Sequence, residues 1–167
     1  MNKSLIAATA AAVALIAAPA MAQDLEGYAT LGATYVDLDG AADLGAGTIR
    51  VGAIYKSYFG VEGEASIGLD DDGPSGARIE LNQQAAIYAV AHLPVGENFD
   101  LMARGGWGRE QYAFASVKGT TSSFNYGVAA QFNIDDAQGV RADWTRHDFE
   151  DTSVNADYWS LSYVRKF

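Results

Sequence analysis

The sequence predicts an all-β protein of eight antiparallel strands, and three observations lead there. Apolar and polar residues alternate with a period of two along most of the chain after Gly27, the pattern of strands with one apolar and one polar face. Short connections alternate with longer, more polar ones. No segment after the first two dozen residues shows helical spacing or a long apolar run.

Composition removes several alternatives. Of 167 residues, 49% are apolar, 19% charged, 18 are Gly and none is Cys. The make-up is not that of a disordered, collagen-like or coiled-coil chain. Without Cys there is no disulfide scaffold, thiolate chemistry or Cys-ligated zinc, and no lipoprotein anchor. A net charge of −10 argues against a nucleic-acid partner.

Residues 1–22 read as a cleaved signal peptide. Lys3 precedes the apolar run Leu5–Ala18, and Ala20-Met21-Ala22 gives an A-x-A end before Gln23. The run is too short and Ala-rich to span a membrane comfortably, and no stop-transfer charges follow. Residues 23–167 then form one domain, carrying all 21 acidic residues and every basic one except Lys3.

The elements follow in order. Leu31, Ala33 and Tyr35 share one face of the first strand, opposite Thr30, Gly32 and Thr34. Ile49–Tyr55 and Val61–Ile67 alternate likewise. Ile79–His92 is apolar on both faces, and its orientation stays open. Leu101, Ala103 and Trp107 alternate with Met102, Arg104, Gly106 and Gly108. Tyr126, Val128, Ala130 and Phe132 form the face of the sixth strand, and Val140, Ala142 and Trp144 that of the seventh. Trp159, Leu161, Tyr163 and Phe167 line one side of the last. The short turns fall at Lys56–Tyr58, Pro94–Asn98 and Asp135–Gln138. The longer loops fall at Asp39–Gly47, Asp70–Arg78, Gln111–Ser122 and Glu150–Asn155.

Period two alone fits a soluble sandwich as well as a membrane barrel; four details favour the barrel. Arg50, Glu62, Glu64, Arg104, Arg141 and Asp143 lie mid-strand on the polar faces, three cations against three anions, suited to pairing across a narrow lumen. The apolar faces carry Tyr35, Tyr55, Tyr88, Trp107, Tyr126, Phe132, Trp144, Trp159, Tyr163 and Phe167 near their ends, as aromatic girdles require. Gly32, Gly52, Gly106, Gly108, Gly127 and Gly139 sit on the polar faces, where a tight lumen needs missing side chains. The chain closes on Phe167 inside a strand, where an ordinary secreted domain would fray. The fold expected is an eight-stranded, antiparallel, up-and-down transmembrane β-barrel.

The segments IRVGAIYKSYFGVEGEASIGL (Ile49–Leu69), LPVGENFDLMARGGWG (Leu93–Gly108) and the C-terminal WSLSYVRKF resemble the small outer-membrane β-barrel family that includes the OmpA transmembrane domain and OmpX. The resemblance covers essentially all of residues 23–167 and rests on pattern rather than on a motif. It implies both termini in the periplasm, four loops outside the cell, and residence in the outer membrane of a Gram-negative bacterium among lipid and lipopolysaccharide. It also implies that Phe167, preceded at alternating positions by Tyr163, Leu161 and Trp159, presents the signal read by the barrel-assembly machinery. Arg165 departs from that pattern, and snorkelling to the interface accommodates it. The periplasmic peptidoglycan-binding domain of full-length OmpA has no counterpart before Phe167.

Candidate chemistry is sparse. Asp37, Asp39, Asp43, Asp70, Asp71, Asp72, Asp148, Glu150, Asp151 and Asp157 gather at the expected extracellular end, either as a rim for divalent cations or as solvated loops, the latter being the reading adopted. Asp70-Asp71-Asp72-Gly73 is not a calcium loop, because its twelfth position is Leu81 rather than Glu. His147 has Asp148 beside it but on the opposite face, and His92 adjoins a turn; neither makes a catalytic pair. No metal or cofactor is expected. The function expected is a monomeric, non-enzymatic envelope protein whose acidic loops meet an extracellular ligand or host surface. A narrow low-conductance channel, a lipid-A-modifying enzyme and a secreted lipocalin-like binding barrel are the alternatives.

Overall fold

The computed structural model describes residues 24–38, 43–69, 71–72, 79–114, 117–150 and 155–167. They form eight long strands: β1 (Leu25–Asp37), β2 (Asp43–Tyr55), β3 (Phe59–Gly68), β4 (Ile79–Pro94), β5 (Phe99–Phe114), β6 (Val117–Asp135), β7 (Gln138–Phe149) and β8 (Asn155–Lys166). Each pairs antiparallel with its sequence neighbours, and β1 pairs with β8, so the sheet closes into a barrel without free lateral edges. A two-residue segment, Asp71–Asp72, adds to the far end of β4. The expected signal peptide, residues 1–22, and the tips of the longer loops lie outside the described residues.

Closure puts side chains into two environments, and the two-residue period decides which. Leu31, Leu101, Val128 and Leu161 stand on the outer wall, Leu31 at 67% exposure and Leu161 at 62%, whereas Arg50 is 2% exposed and Glu64 6%. Greasy residues therefore point out and ionic ones point in, the reverse of a soluble sandwich. The structure also settles β4. Ile87 points out, and Tyr88 points in at 1% exposure. Tyr88 thus belongs to the lumen and not to the outer aromatic set, a correction to the sequence reading. Periodicity could not orient this strand because the lumen beside it is itself apolar, where Val90 packs with Met102 and Ala129.

Two connections are shorter than the sequence suggests. β2 begins at Asp43, inside the expected loop Asp39–Gly47, and Gln111–Ser122 lies mostly within β5 and β6. Cross-strand hydrogen bonding carries polar Gln, Thr and Ser residues into strands once a partner is aligned, and local polarity alone does not reveal it. The result is a tall hairpin. β5 and β6 run for 16 and 19 residues, against 10 in β3. Pairing between β6 and β7 starts only at Ser123↔Phe149, so the top of β6 stands clear of β7 beyond the bond from Glu150 N–H to Ser122 C=O.

At the opposite end the turns are tight. Lys56 and Ser57 both have positive φ, 50° and 62°, and Tyr58 N–H donates to Tyr55 C=O at 3.2 Å. Two successive positive φ values make a type I′ turn, whose twist matches a hairpin, here built without the usual Asn-Gly. Inside, close approach demands glycine at Gly52. A Cβ there would lie 2.5 Å from the ring of Tyr28, its register partner on β1.

Candidate functional site: lumen, outer belt and rim

The six charged residues expected in the lumen meet at mid-height. Arg50 on β2 donates from Nε to Glu64 Oε2 at 2.5 Å, and its Nη1 lies 3.5 Å from Asp143 Oδ2. Arg104 on β5 reaches Glu62 Oε1 at 2.8 Å and Glu64 Oε2 at 3.1 Å. Arg141 on β7 reaches Glu62 Oε2 and Asp143 Oδ1, both at 2.7 Å. Three guanidinium groups thus face three carboxylates, each in contact with more than one partner.

Neutral side chains complete this layer. Tyr28 donates to Glu62 Oε2 at 2.7 Å, while Gln84 and Tyr88 donate to Glu64 Oε1 at 2.8 and 3.2 Å. Arg104 donates to the Thr145 hydroxyl and lies over the Tyr88 ring, 4.7 Å from its centroid. Arg50 also donates to Ser160 and Ser162 at 3.0 and 3.2 Å. Buried charges survive only when paired and hydrogen-bonded. Each of the six is paired, and of their oxygens and nitrogens only Asp143 Oδ2 lacks a hydrogen bond among the described residues. Thr145, Ser160 and Ser162 share the alternation of Arg141 and Asp143 or of their pairing strand, so their parity marks them as lumen residues in the sequence itself.

Above this layer, toward the long loops, lies a pair missing from the sequence reading. Glu110 Oε1 accepts from Ser123 Oγ at 2.9 Å and lies 2.8 Å from His147 Nδ1, with both side chains fully buried. Glu110 has the parity of Arg104 and His147 that of Asp143, the signal that could have found them. The imidazole of His147 stacks on Tyr158 at 3.9 Å and 9°. Tyr158 in turn bonds Tyr112 through the hydroxyls at 2.9 Å. Over these rings Val36, Leu38, Leu44, Leu81 and Phe149 form an apolar plug across the outer mouth. Below the charged layer, Tyr28, Ile54 and Val164 form a further apolar cluster. At the inner mouth, Asp100 accepts from Asn133 at 2.8 Å and lies 3.5 Å from His92 Nε2.

The outer wall carries a belt of rings. Trp107 packs edge-on against Phe124 at 5.5 Å, Tyr126 against Trp144 at 6.4 Å, and Trp144 lies 6.3 Å from Trp159. Tyr35 is the register partner of Trp159 and continues the belt onto β1. Tyr55, Phe132 and Tyr163 are exposed nearer the short turns, as is Phe167, whose N–H donates to Gly27 C=O at 2.9 Å. Immediately above the belt is a charged row. Trp144 Nε1 donates to Asp157 at 3.2 Å, Arg146 reaches the same carboxylate at 3.3 Å, and Tyr35 donates to Asp43 at 2.6 Å. Asp37, Asp43 and Asp157 are in register across β1, β2 and β8. Asp39, Asp70 and Asp151 lie outside the described residues, and of Asp71 and Asp72 only the pairing to β4 is described.

The chemical repertoire of this arrangement is narrow. Among the described residues no group of three or more His, Asp or Glu is poised to hold a metal. His147 is oriented by a carboxylate but faces the axis under the plug, away from any lipid on the outer wall. A shallow outer concavity of about 810 Å³, floored by Ala33, Ala130 and Ala142 beside Trp144 and Trp159, is lined mainly by apolar side chains and lacks the converging polar groups of an active site.

Comparison with known proteins agrees with this geometry. Ail, the attachment invasion locus protein of Yersinia pestis, solved with the heparin analogue sucrose octasulfate, superposes with a TM-score of 0.66 at 18% identity, over 87% of this chain and 100% of Ail. Neisserial surface protein A gives 0.59 at 14% identity, over 86% and 97% of the two chains. The N-terminal β-barrel domain of Pseudomonas aeruginosa OprF gives 0.60 at 11%, over 87% and 98%. No curated protein sequence matches significantly. The family model for the outer membrane protein beta-barrel domain matches residues 8–167. With its closed eight-stranded barrel, apolar outer wall and ionic lumen, the chain belongs to the outer membrane protein β-barrel domain family and resides in the outer membrane of a Gram-negative bacterium.

Proposed function

We propose that this barrel is a monomeric envelope protein that acts through its extracellular surface and performs no catalysis. The carrying observation is the stack of layers on the axis: an apolar plug above a Glu110–His147 layer above a lattice of ion pairs. A lumen filled this way leaves little room for a water column, so the parts free to meet a partner are the rim and the tall β5–β6 hairpin. In the same reading the leader is removed after Ala22, and Phe167 with Tyr163, Leu161 and Trp159 is read by the assembly machinery. Tyr35, Tyr55, Trp107, Phe132, Trp144, Trp159 and Tyr163 seat the barrel at the two water–lipid boundaries, and the lumen ion pairs hold it rigid.

Ail and Neisserial surface protein A lend support to a surface role, but the ligand polarity differs here. A polyanion of the sulfated-sugar kind would meet Asp37, Asp43 and Asp157 in a chain of net charge −10. The partner suited to this rim is neutral or cationic. Planar-bilayer recording of the purified protein tests the reading: a silent bilayer is expected, whereas steady unit steps would favour a channel. Lipid A from expressing cells is expected to keep its mass, and a shift would favour an enzyme.

A further inference from the structure

The two histidines of the barrel are held differently. His147 turns Nδ1 to Glu110 and leaves Nε2 without a hydrogen-bond partner among the described residues. His92, near the inner end of β4, has an acceptor beside each ring nitrogen. Its Nδ1 lies 2.7 Å from the Ser57 carbonyl oxygen, which accepts and cannot donate, so this nitrogen carries a proton. Its Nε2 lies 3.5 Å from Asp100 Oδ2, an oxygen that also accepts from Asn133 Nδ2 at 2.8 Å. With Nδ1 protonated, a neutral ring brings the Nε2 lone pair up to a carboxylate. The imidazolium instead offers a proton to each side. Both side chains are nearly buried, which keeps the contact from being screened by solvent.

The ring joins two separate parts of the inner mouth. Ser57 belongs to the tight β2–β3 turn, where Lys56 and Ser57 hold positive φ values that cost a residue with a Cβ. His92 N–H also donates to Tyr58 C=O at 2.7 Å, so backbone and ring of one residue fasten that turn. Asp100 stands on β5, on the other side of β4. The charged groups packed around this pair are few. Lys166 Nζ on β8 lies 4.0 Å from Asp100 Oδ2 and 3.4 Å from Glu26 Oε1 on β1, while Lys56 of the turn lies over the Tyr55 ring. We propose that His92 is a proton-dependent latch at the inner mouth. Charged, it ties the β2–β3 turn to Asp100; neutral, it keeps the turn and loses the carboxylate. The latch contributes stability that is present in acid and lost as pH rises through the histidine range. It is independent of the surface role proposed for the barrel.

The test uses the full refolded barrel in detergent, with heat-modifiable gel mobility first showing that each variant is folded. Denaturant unfolding is then followed at about pH 5 and about pH 8 for wild type, His92→Gln, Asp100→Asn and the double variant. Gln keeps a donor for the Ser57 carbonyl but takes no proton, so its comparison with wild type isolates the charge. The advantage of wild type over His92→Gln in the folding equilibrium is expected to be about tenfold larger in acid than at the alkaline pH. In the Asp100→Asn background the same comparison should show no pH dependence. An advantage equal at both pH values, one that grows as pH rises, or one whose pH dependence survives in Asp100→Asn would each overturn the latch. Ring-nitrogen NMR of the wild type decides the matter even where Asp100→Asn fails to fold. Both nitrogens of His92 are expected to carry protons in acid, with Nε2 losing its proton first as pH rises; a neutral ring at about pH 5 would overturn the assignment.

Discussion

The middle of the lumen and the layer above it both bury charge, and they satisfy it differently. At mid-height three arginines and three carboxylates interlock, and tyrosine, glutamine, threonine and serine side chains take up most of what remains. One layer up, Glu110 stands against a single histidine. Its Oε2 and the His147 Nε2 have no hydrogen-bond partner among the described residues, whereas in the lower layer Asp143 Oδ2 and Gln84 Oε1 lack one while every guanidinium nitrogen is engaged. The lower layer is a lattice in which loss of one member strands two or more others. The upper is a short chain capped by hydrophobic packing, so its integrity depends more on the plug than on ion pairs.

That contrast orders the expected effects. Arg104→Ala leaves Glu62 and Glu64 short of a cation in a closed space and should destabilise the barrel by about 3–5 kcal/mol in denaturant unfolding from detergent. A double replacement of Arg141 and Glu62 by Met and Leu should cost less than either single change, because it removes both charges together. Leu44→Ala opens a cavity in the plug and should cost about 2–4 kcal/mol. Glu110→Ala strands His147 and Ser123 but no arginine, for a loss of about 1–3 kcal/mol. If Glu110→Ala proved as costly as Arg104→Ala, the two layers would be one network. The smallest effect belongs to the tight turn between β2 and β3. Ser57→Gly relieves a positive φ of 62° and should raise stability by up to about 1 kcal/mol.

Strand number, the outward face of seven strands and the six mid-height charges were legible in the sequence, because a single parity rule covers them all. The rule failed at β4, where Tyr88 and Val90 make the inward face as apolar as the outward one. It was not carried one step further along β5 and β7: Glu110 follows the parity of Arg104 and His147 that of Asp143. His147 was weighed only against its sequence neighbour Asp148, and Glu110 adjoins residues whose polarity looked like a loop. The plug was invisible for a different reason. Leu38, Leu44, Leu81 and Phe149 come from strand ends far apart in sequence, and only closure of the barrel brings them over one axis.

Apolar side chains wrap the exterior of this barrel while ion pairs fill its axis. The absence of native cysteine allows a clean measurement on two adjacent residues of β8. A fluorophore attached at Leu161→Cys and, separately, at Ser162→Cys is placed in vesicles containing lipids with nitroxide quenchers on their acyl chains. Strong quenching at position 161 and little at 162 is expected. Equal quenching at both, or the reverse order, would contradict it.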